Sequence, residues 1–517
     1  MDFDLLVLNG TVVDGTGTPG LKADVGIKGD QIAAVGELSS AQAECVIDAS
    51  GCYVCPGFVD AHSHSDAYLL IEPSAASKIY QGITTEVVGN CGASAAPLMG
   101  EYRMPSDWLD KEYPAQWSTV AEYRTLFDEI TPAVNAAMLV GHNTLHAGVC
   151  GYEPRGADSD EMRVMKKRLE QALEEGACGL SSGLLYPPGS AVPAAELVEL
   201  AKVVGAHGKI YTSHMRSEGK GLLDSLDETI DLCRRAEVRT QISHLKTSGK
   251  GNWHLIDAAL DKMRSALAEG LPVAADRYPY TAACTDLDVV LPDWAGHGGR
   301  ERVLRRLRDS VMRKKIREEM QAERHPGYWK TVMIGSTESA YKGWMLLDAA
   351  KEMGCEPVDA VLALVDRDNL KTGGIFFGMS EENMWRILRE PYVMLGSDAS
   401  LRAPTGILSD DHPHPRAYGS FTKFLRAALS GQTVRIEEAV RKMTSLPAER
   451  FGLEKRGRLE AGYFADVLVF AADEVEEKTS YADPHQLSTG MRHVIVNGTE
   501  IIADKKTTGL RSGRFLG

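Results

Sequence analysis

The feature that most constrains this chain is a unit repeated through its middle, an amphipathic helix followed by a short apolar run. SDEMRVMKKRLEQALEEG sets Met162, Met165, Leu169 and Leu173 on one helical face. Asp158 and Glu161 are spaced as a capping box at its start, and Gly176 suits its stop. The apolar run ACGLSSGLLY follows. AAELVELAKVVGAHG then precedes KIYTSHMR, SLDETIDLCRRAE precedes RTQISHLK, IDAALDKMRSALAEG precedes PVAADRYPY, and MWRILRE precedes YVMLGSD. Such alternation builds a parallel sheet, and over roughly 390 residues it predicts an α/β fold, a (β/α)8 TIM-like barrel. Residues 286 to about 345 break the rhythm. They carry DWAGHGG and then RERVLRRLRDSVMRKKIREEM, which reads as one long charged helix inside a loop insertion placed to act as a lid.

The two ends read differently. LLVLNGTVVDG is broken at Asn9-Gly10, a hairpin signal, and DVGIKGDQIAAVG turns at Lys28-Gly29-Asp30. Near the other end, GYFADVLVF and RHVIVNGTEI are strands, with a second Asn-Gly at 497–498. The termini are expected to pair into one small β domain. The layout is then 1–57 and 450–517 for that domain and 58–449 for the barrel with its insertion at about 286–345.

Lys and Arg number 57 against 72 Asp and Glu, a net charge of −15. That balance argues against nucleic acid or an anionic membrane as partner. No apolar run reaches the roughly 18 residues of a membrane span. The N-terminus MDFDLLVLNG carries acids where an export signal carries bases. Nine cysteines, an odd and unpatterned set, point to reduced thiols and a cytoplasmic setting.

One regularity points to chemistry. His62 and His64 end CYVCPGFVDAHSH, Cys91 ends TTEVVGNC, His214 ends KIYTSH, His244 ends TQISH and Asp398 ends YVMLGSD. Each lies at the C-terminal end of a predicted strand, and in a barrel those ends converge on one face. Taken singly, Cys91 could be a small buried hydrophobe and Asp398 a helix cap. Taken together, imidazole, thiolate and carboxylate are the ligands that Zn²⁺ accepts. Other candidates read as bland. Cys52-x-x-Cys55 has no partner pair for zinc and reads as structural; His142 and His146 suit supporting or loop roles, and His412 and His414 a loop. GKGNW lacks a Walker or dinucleotide-binding pattern, and a serine-hydrolase elbow is unsupported.

At these residues the chain resembles the amidohydrolase superfamily, and within it the N-acyl-D-amino-acid deacylase (D-aminoacylase) family. The matching motifs are PGFVDAHSHSD, GITTEVVGNCG, SSGLLYPPG, SHMRSEG, SHLK, DRYPYTA, GSDAS and HPHPRAYG, in order from about residue 3 to TTGLRSGRFLG. The resemblance implies a small β domain beside a metal-bearing barrel and zinc-dependent hydrolysis of small-molecule N-acyl-D-amino acids. It implies one tightly held zinc on Cys91, His214 and His244. It implies a second, weaker metal position on His62, His64 and Asp398. Asp398 would also be the general acid/base, working on a zinc-activated hydroxide. Tyr186, Lys246, Tyr278 and Arg416 would bind the substrate carboxylate. Asp60 and Asp66 are left to support the histidines. One residue departs from the pattern: Cys284 stands where a serine that helps bind the carboxylate is expected. Two other readings compete. A cyclic-amide hydrolase of the hydantoinase or dihydroorotase kind is disfavoured by Cys91 and the Lys246/Arg416 pair, and an inactive scaffold by the presence of all six ligand candidates.

Overall fold

The structure, a computed structural model, describes residues 2–325 and 327–517. Its N-terminal strands are β1 (Phe3–Val12), β2 (Leu21–Lys28), β3 (Gln31–Gly36), β4 (Ala43–Asp48) and β5 (Tyr53–Pro56). Asn9-Gly10 makes no hairpin. β1 runs straight through it, and the register against β2 shifts between Val7 and Gly10. Asn9 has φ 65°, and its backbone N–H and side-chain amide donate to Asp24 and Asp48 at 2.8 and 2.9 Å. A side-chain-braced bulge thus takes up the left-handed residue that a turn would otherwise need.

The barrel strands are β6 (Phe58–Asp60), β7 (Ile83–Val88), β8 (Asn135–Gly141), β9 (Gly179–Gly183), β10 (Ile210–His214), β11 (Arg239–Ile242) and β12 (Val273–Arg277). Three strands then leave the barrel, β13 (Ala282–Asp286), β14 (Val332–Ile334) and β15 (Gly373–Phe377), before β16 (Val393–Leu395) returns to it. The eight barrel strands form one parallel sheet in the order β16-β12-β11-β10-β9-β8-β7-β6. The seam between β6 and β16 is joined by Ala61 N–H to Leu395 O at 3.3 Å and Asp398 N–H to His62 O at 2.8 Å. Val59, Val87, Leu139, Ile210, Ala274 and Met394 fill the interior, each from a different strand, and Phe451 and Leu453 pack beneath them. The barrel is therefore a packed core whose chemistry must sit on its rim. The capping box opens the helix Ser159–Glu174, and Met165, Leu169 and Leu173 are buried, as the spacing predicts.

β13, β15 and β14 form a separate antiparallel sheet, so the excursion runs further than the expected 286–345. It has its own apolar core, including Leu287, Leu307, Ile316, Ile334 and Val361. The single long helix expected there is two, Arg300–Arg308 and Ser310–Glu323. Asp309 breaks it: its backbone is extended, and its carboxylate accepts from the N–H groups of Val311 and Met312.

β17 (Val467–Phe470), β18 (Met491–Val496), β19 (Thr499–Ala503) and β20 (Lys506–Thr507) complete the terminal sheet. β5 pairs antiparallel with β17, which joins the two ends of the chain as expected. The second Asn-Gly does turn a hairpin, between β18 and β19, with Asn497 at φ 46° and Gly498 at φ 79°. No described helix is long and apolar enough to cross a membrane.

Candidate metal centre

Five barrel strands deliver the six candidate ligands to the rim. His62 and His64 follow β6, Cys91 follows β7, His214 ends β10, His244 follows β11 and Asp398 follows β16. Their donor atoms form two groups that share one atom. Cys91 Sγ lies 3.3 Å from His62 Nε2, and Asp398 Oδ1 lies 3.3 and 3.1 Å from the Nε2 atoms of His62 and His64. On its other side Cys91 Sγ lies 3.4 Å from His244 Nε2, which is 3.0 Å from His214 Nδ1. The thiol is thus the common corner of a His62–His64–Cys91–Asp398 group and a Cys91–His214–His244 group.

Three of these residues just past a strand end have left-handed backbone: Cys91 at φ 53°, His244 at φ 37° and Asp398 at φ 52°. The turn swings each side chain off its strand toward the barrel axis, at about 1–2 kcal/mol apiece. Gly396 permits the close approach, because a Cβ there would stand 2.6 Å from His62 Cβ.

Two carboxylates that sequence reasoning missed orient the imidazoles. His62 Nδ1 donates to Asp276 Oδ1 at 3.1 Å, which leaves Nε2 free to ligate. The same oxygen accepts the His244 N–H at 2.8 Å, and Gln241 Nε2 donates to Asp276 Oδ2 at 2.9 Å. His244 Nδ1 lies 2.7 Å from Glu218 Oε1, which directs its Nε2 to Cys91. Carboxylate–imidazole pairs of this kind fix tautomer and ring orientation at metal sites. Asp276 lies in β12, at a strand end like the ligands, so the same rule could have found it; Glu218 carries no such signal.

The donor set fits a cation, and zinc in particular. Burial alone would raise the Cys91 thiol, but the charges on His62, His244 and His214 hold it well below its ordinary value. Burial alone would lower His64 and His244, yet the anions around them, Asp398, Cys91 and Glu218 among them, carry them up to about 9 and about 10. Thiolate and carboxylates together therefore demand positive charge at this point. The donor spacings of 3.0–3.4 Å approach the edges of about 3.3–3.7 Å that tetrahedral zinc with bonds of about 2.0–2.3 Å imposes.

A third group makes a useful contrast. His142 and His146 are on the helix His142–Cys150, not in a loop, and are fully buried. Both face one oxygen of Glu196, at 2.9 and 2.7 Å. These are hydrogen-bond lengths. Ligation through those nitrogens would also strand a buried N–H on His142 Nδ1 and His146 Nε2, which have no partner. The group reads as a hydrogen-bonded tie between two barrel helices.

The four candidate substrate residues surround the same centre. Arg416, first residue of the helix Arg416–Leu429, sets Nη1 2.5 Å from Asp398 Oδ2 and donates from Nη2 to Cys284 O at 3.1 Å. Lys246 pairs with Glu218 and lies 2.7 Å from His244 Nδ1. The Tyr278 ring lies under the Arg416 guanidinium, 4.9 Å away, and its buried hydroxyl has no partner among the described residues. The Tyr186 ring meets His214 at 4.9 Å, and its hydroxyl accepts from Thr285. β13 of the insertion thus contributes Cys284 and Thr285 to the rim. His414 lies in a loop, as expected, and is buried there: its Nδ1 accepts the Arg416 N–H at 2.9 Å and its Nε2 donates to Ala282 O at 3.0 Å. It fixes the start of the Arg416 helix against β13. His412 donates to Tyr481 O at 2.7 Å, so the C-terminal segment also reaches the rim.

A sequence profile for the amidohydrolase family matches residues 45–246 and 387–502, and leaves most of the excursion between its two spans. The chain is 37% identical over 516 residues to a D-aminoacylase of Alcaligenes xylosoxydans xylosoxydans, covering 99% of this chain and 97% of that one. It is 36% identical to an N-acyl-D-glutamate deacylase of the same organism, covering 99% and 96%. A crystal structure of N-acyl-D-glutamate deacylase from Bordetella bronchiseptica, complexed with zinc and a phosphonate mimic of the tetrahedral intermediate, matches over 100% of both chains with a TM-score of 0.85 and 34% identity.

Proposed function

The chain belongs to the amidohydrolase family, and from that premise we propose that it is a zinc-dependent deacylase that hydrolyses N-acyl-D-amino acids to a carboxylate and a free D-amino acid. The observation that carries the reading is the shared Cys91 thiolate between two donor groups, with Arg416 and Lys246 standing beside them. Cys91, His214 and His244 would hold the tighter zinc, and His62, His64 and Asp398 the weaker one. Bound zinc polarises the scissile carbonyl and acidifies water. The chain's own residues do the rest. Asp398 takes the proton of the attacking water and delivers it to the departing nitrogen. Lys246 and Arg416 bind the α-carboxylate, Arg416 through its two-pronged fork. The free Tyr278 hydroxyl donates a third hydrogen bond to it, and Tyr186 walls the pocket beside His214. Two cationic side chains are thereby available to a carboxylate in a chain of net charge −15.

The Cys284 carbonyl, not a side-chain hydroxyl, is what meets Arg416, so the missing serine costs the pocket one donor and leaves the arginine in place. We take residues 1–57 with 450–517 as the β domain, 58–449 as the catalytic unit and the excursion as a lid. All nine cysteines are free, which suits a cytoplasmic setting. The test is a panel of N-acetyl D- and L-amino acids, with hydantoin and dihydroorotate beside them, on a sample whose zinc is measured. Release of the free D-amino acid alone is expected. Turnover of the cyclic amides in its place, or none by a zinc-loaded sample, would overturn the reading.

A further inference from the structure

We propose that Lys78, a residue outside the ligand and substrate sets, is a positioning residue of the metal centre. Its buried ammonium ties together the two chain segments that meet at the barrel seam, and so sets the spacing between the His62/His64 pair and Asp398. The inference rests on the reading of those three residues as ligands.

The seam is the weakest part of the sheet. β6 and β16 have three residues each, and neither forms a regular ladder with the other. Beyond their ends the two segments run side by side with alternating faces. His62, His64 and Asp398 turn to the donor cluster. Ser63, Ser65, Ser397 and the Ala399 carbonyl turn to the opposite side, where Lys78 lies fully buried on the short helix Ala76–Ile79.

The ammonium meets acceptors from both segments. It lies 3.3 Å from Ser63 Oγ on one, and 3.2 Å from Ser397 Oγ and 3.1 Å from Ala399 O on the other. Two buried carboxylates complete its shell, Asp60 Oδ2 at 3.1 Å and Glu86 Oε2 at 3.2 Å. These extend the tie. Asp60 Oδ1 accepts the N–H of His62 at 3.2 Å and of Ser397 at 2.8 Å. Glu86 Oε2 accepts from Ser63 and from Ser65 Oγ at 2.6 Å, and Ser65 Oγ accepts the Leu401 N–H at 2.9 Å. His62, Ser63, His64, Ser65, Ser397 and Ala399 thus lie within one or two bonds of the same cation. A compact ammonium suits this place, because its donors point in three directions, whereas a planar guanidinium fans its donors in one plane. Among the described residues three backbone bonds cross the seam here, two of them at 3.3 Å.

The experiment uses the full chain, depleted of metal and then titrated with zinc against a competing chelator, with zinc per chain read by elemental analysis. Lys78→Met removes the ammonium. Lys78→Met/Glu86→Gln removes it at unchanged net charge, which covers the case where two bare carboxylates prevent folding. Ser397→Ala removes one rung and no charge. In each folded variant the weaker position is expected to need about 10–100-fold more free zinc, with Ser397→Ala at the small end. The tighter position should keep its zinc. With the tighter position filled, KM should stay within about twofold. A purely structural lysine would lower thermal stability and leave the zinc partition alone. That result in any folded variant would overturn the proposal. His64→Ala is the control: if it leaves the partition unchanged, the ligand reading itself fails, and if it alone shifts the partition, only the role of Lys78 does.

Discussion

Replacing Asp276 by Asn probes the least visible part of the centre. One oxygen of this carboxylate accepts from His62 Nδ1 and the His244 N–H, and the other accepts from Gln241 Nε2. An amide keeps the shape and can still accept at one atom. If its oxygen stays on His62 and His244, its NH₂ faces Gln241, whose amide must turn to present Oε1. If it flips, the imidazole N–H loses its acceptor. Either way the anion that makes His62 a better donor is gone. Loss of one such supporting carboxylate typically weakens metal binding 10–100-fold, about 1.4–2.7 kcal/mol. Asp276 touches one residue from each donor group, so both zinc positions should weaken, and the His62 position more, because there the contact is to the ligating ring itself. Chelator competition on the folded variant reads both steps. If both affinities stay within about twofold of the parent, Asp276 does not hold these imidazoles and the orienting argument fails.

Other substitutions separate roles. Asp398→Asn should keep zinc on Cys91, His214 and His244 and lose at least about a hundredfold in kcat; retained turnover would remove Asp398 as proton carrier. Cys91→Ala should deplete both positions, since the thiolate is their shared corner, and elemental analysis of zinc per chain checks this. Tyr278→Phe deletes a buried hydroxyl with no partner in the free protein. It should therefore raise KM tenfold or more while leaving thermal stability level or higher; a stability loss with unchanged KM would contradict the assignment. Burial pushes the Lys442 ammonium down from 10.5 to about 8. Between about pH 8 and 10.5 the unfolded chain binds this proton and the folded chain does not, so stability should rise with pH through that window. The rise is at most about 3 kcal/mol at 1.36 kcal/mol per unit. Denaturation midpoints at pH 7.5 and 10 should show it in the parent and not in Lys442→Met; equal slopes would sink the argument.

The barrel was legible because its evidence is local. Each helix carries its apolar stripe within one window, and each candidate ligand stands at the end of a run readable by itself. Turn chemistry was less so. Asn9-Gly10 and Asn497-Gly498 are the same dipeptide, yet one is a bulge and the other a hairpin. The difference lies in Asp24 and Asp48, which hold Asn9 from elsewhere in the sheet. Asp309 was hidden inside a charged run because only its extended backbone shows it to be a cap. His142 and His146 were legible as a pair, but Glu196, which decides their role, is about 50 residues on, a separation no short motif reports. The buried charges were least legible. Lys78 and Asp276 look like ordinary polar residues until partners hundreds of positions away, Ser397 and His62, close around them.

Those buried charges and the strained candidate ligands are physically linked. Left-handed backbone at Cys91, His244 and Asp398 costs about 1–2 kcal/mol each, so the three together consume a sizeable part of the roughly 5–15 kcal/mol by which a native protein is stable. Such conformations persist only where neighbours over-determine them. At His244 the neighbour is Asp276, on its backbone N–H. At Asp398 it is His62 O, which accepts the Asp398 N–H, with Ser397 pinned to Asp60 one residue earlier. At Cys91, the Asn90 side chain beside it donates to Val87 O, and the Gly92 N–H after it to Ser181 Oγ. Each strained donor is thus flanked by a buried polar anchor one residue away or on its own backbone. The anchors are backbone groups and side chains that are not candidate ligands, and they need no metal to form. The chain therefore holds its donors near ligating geometry by its own hydrogen bonds, and the metal has little ordering left to impose.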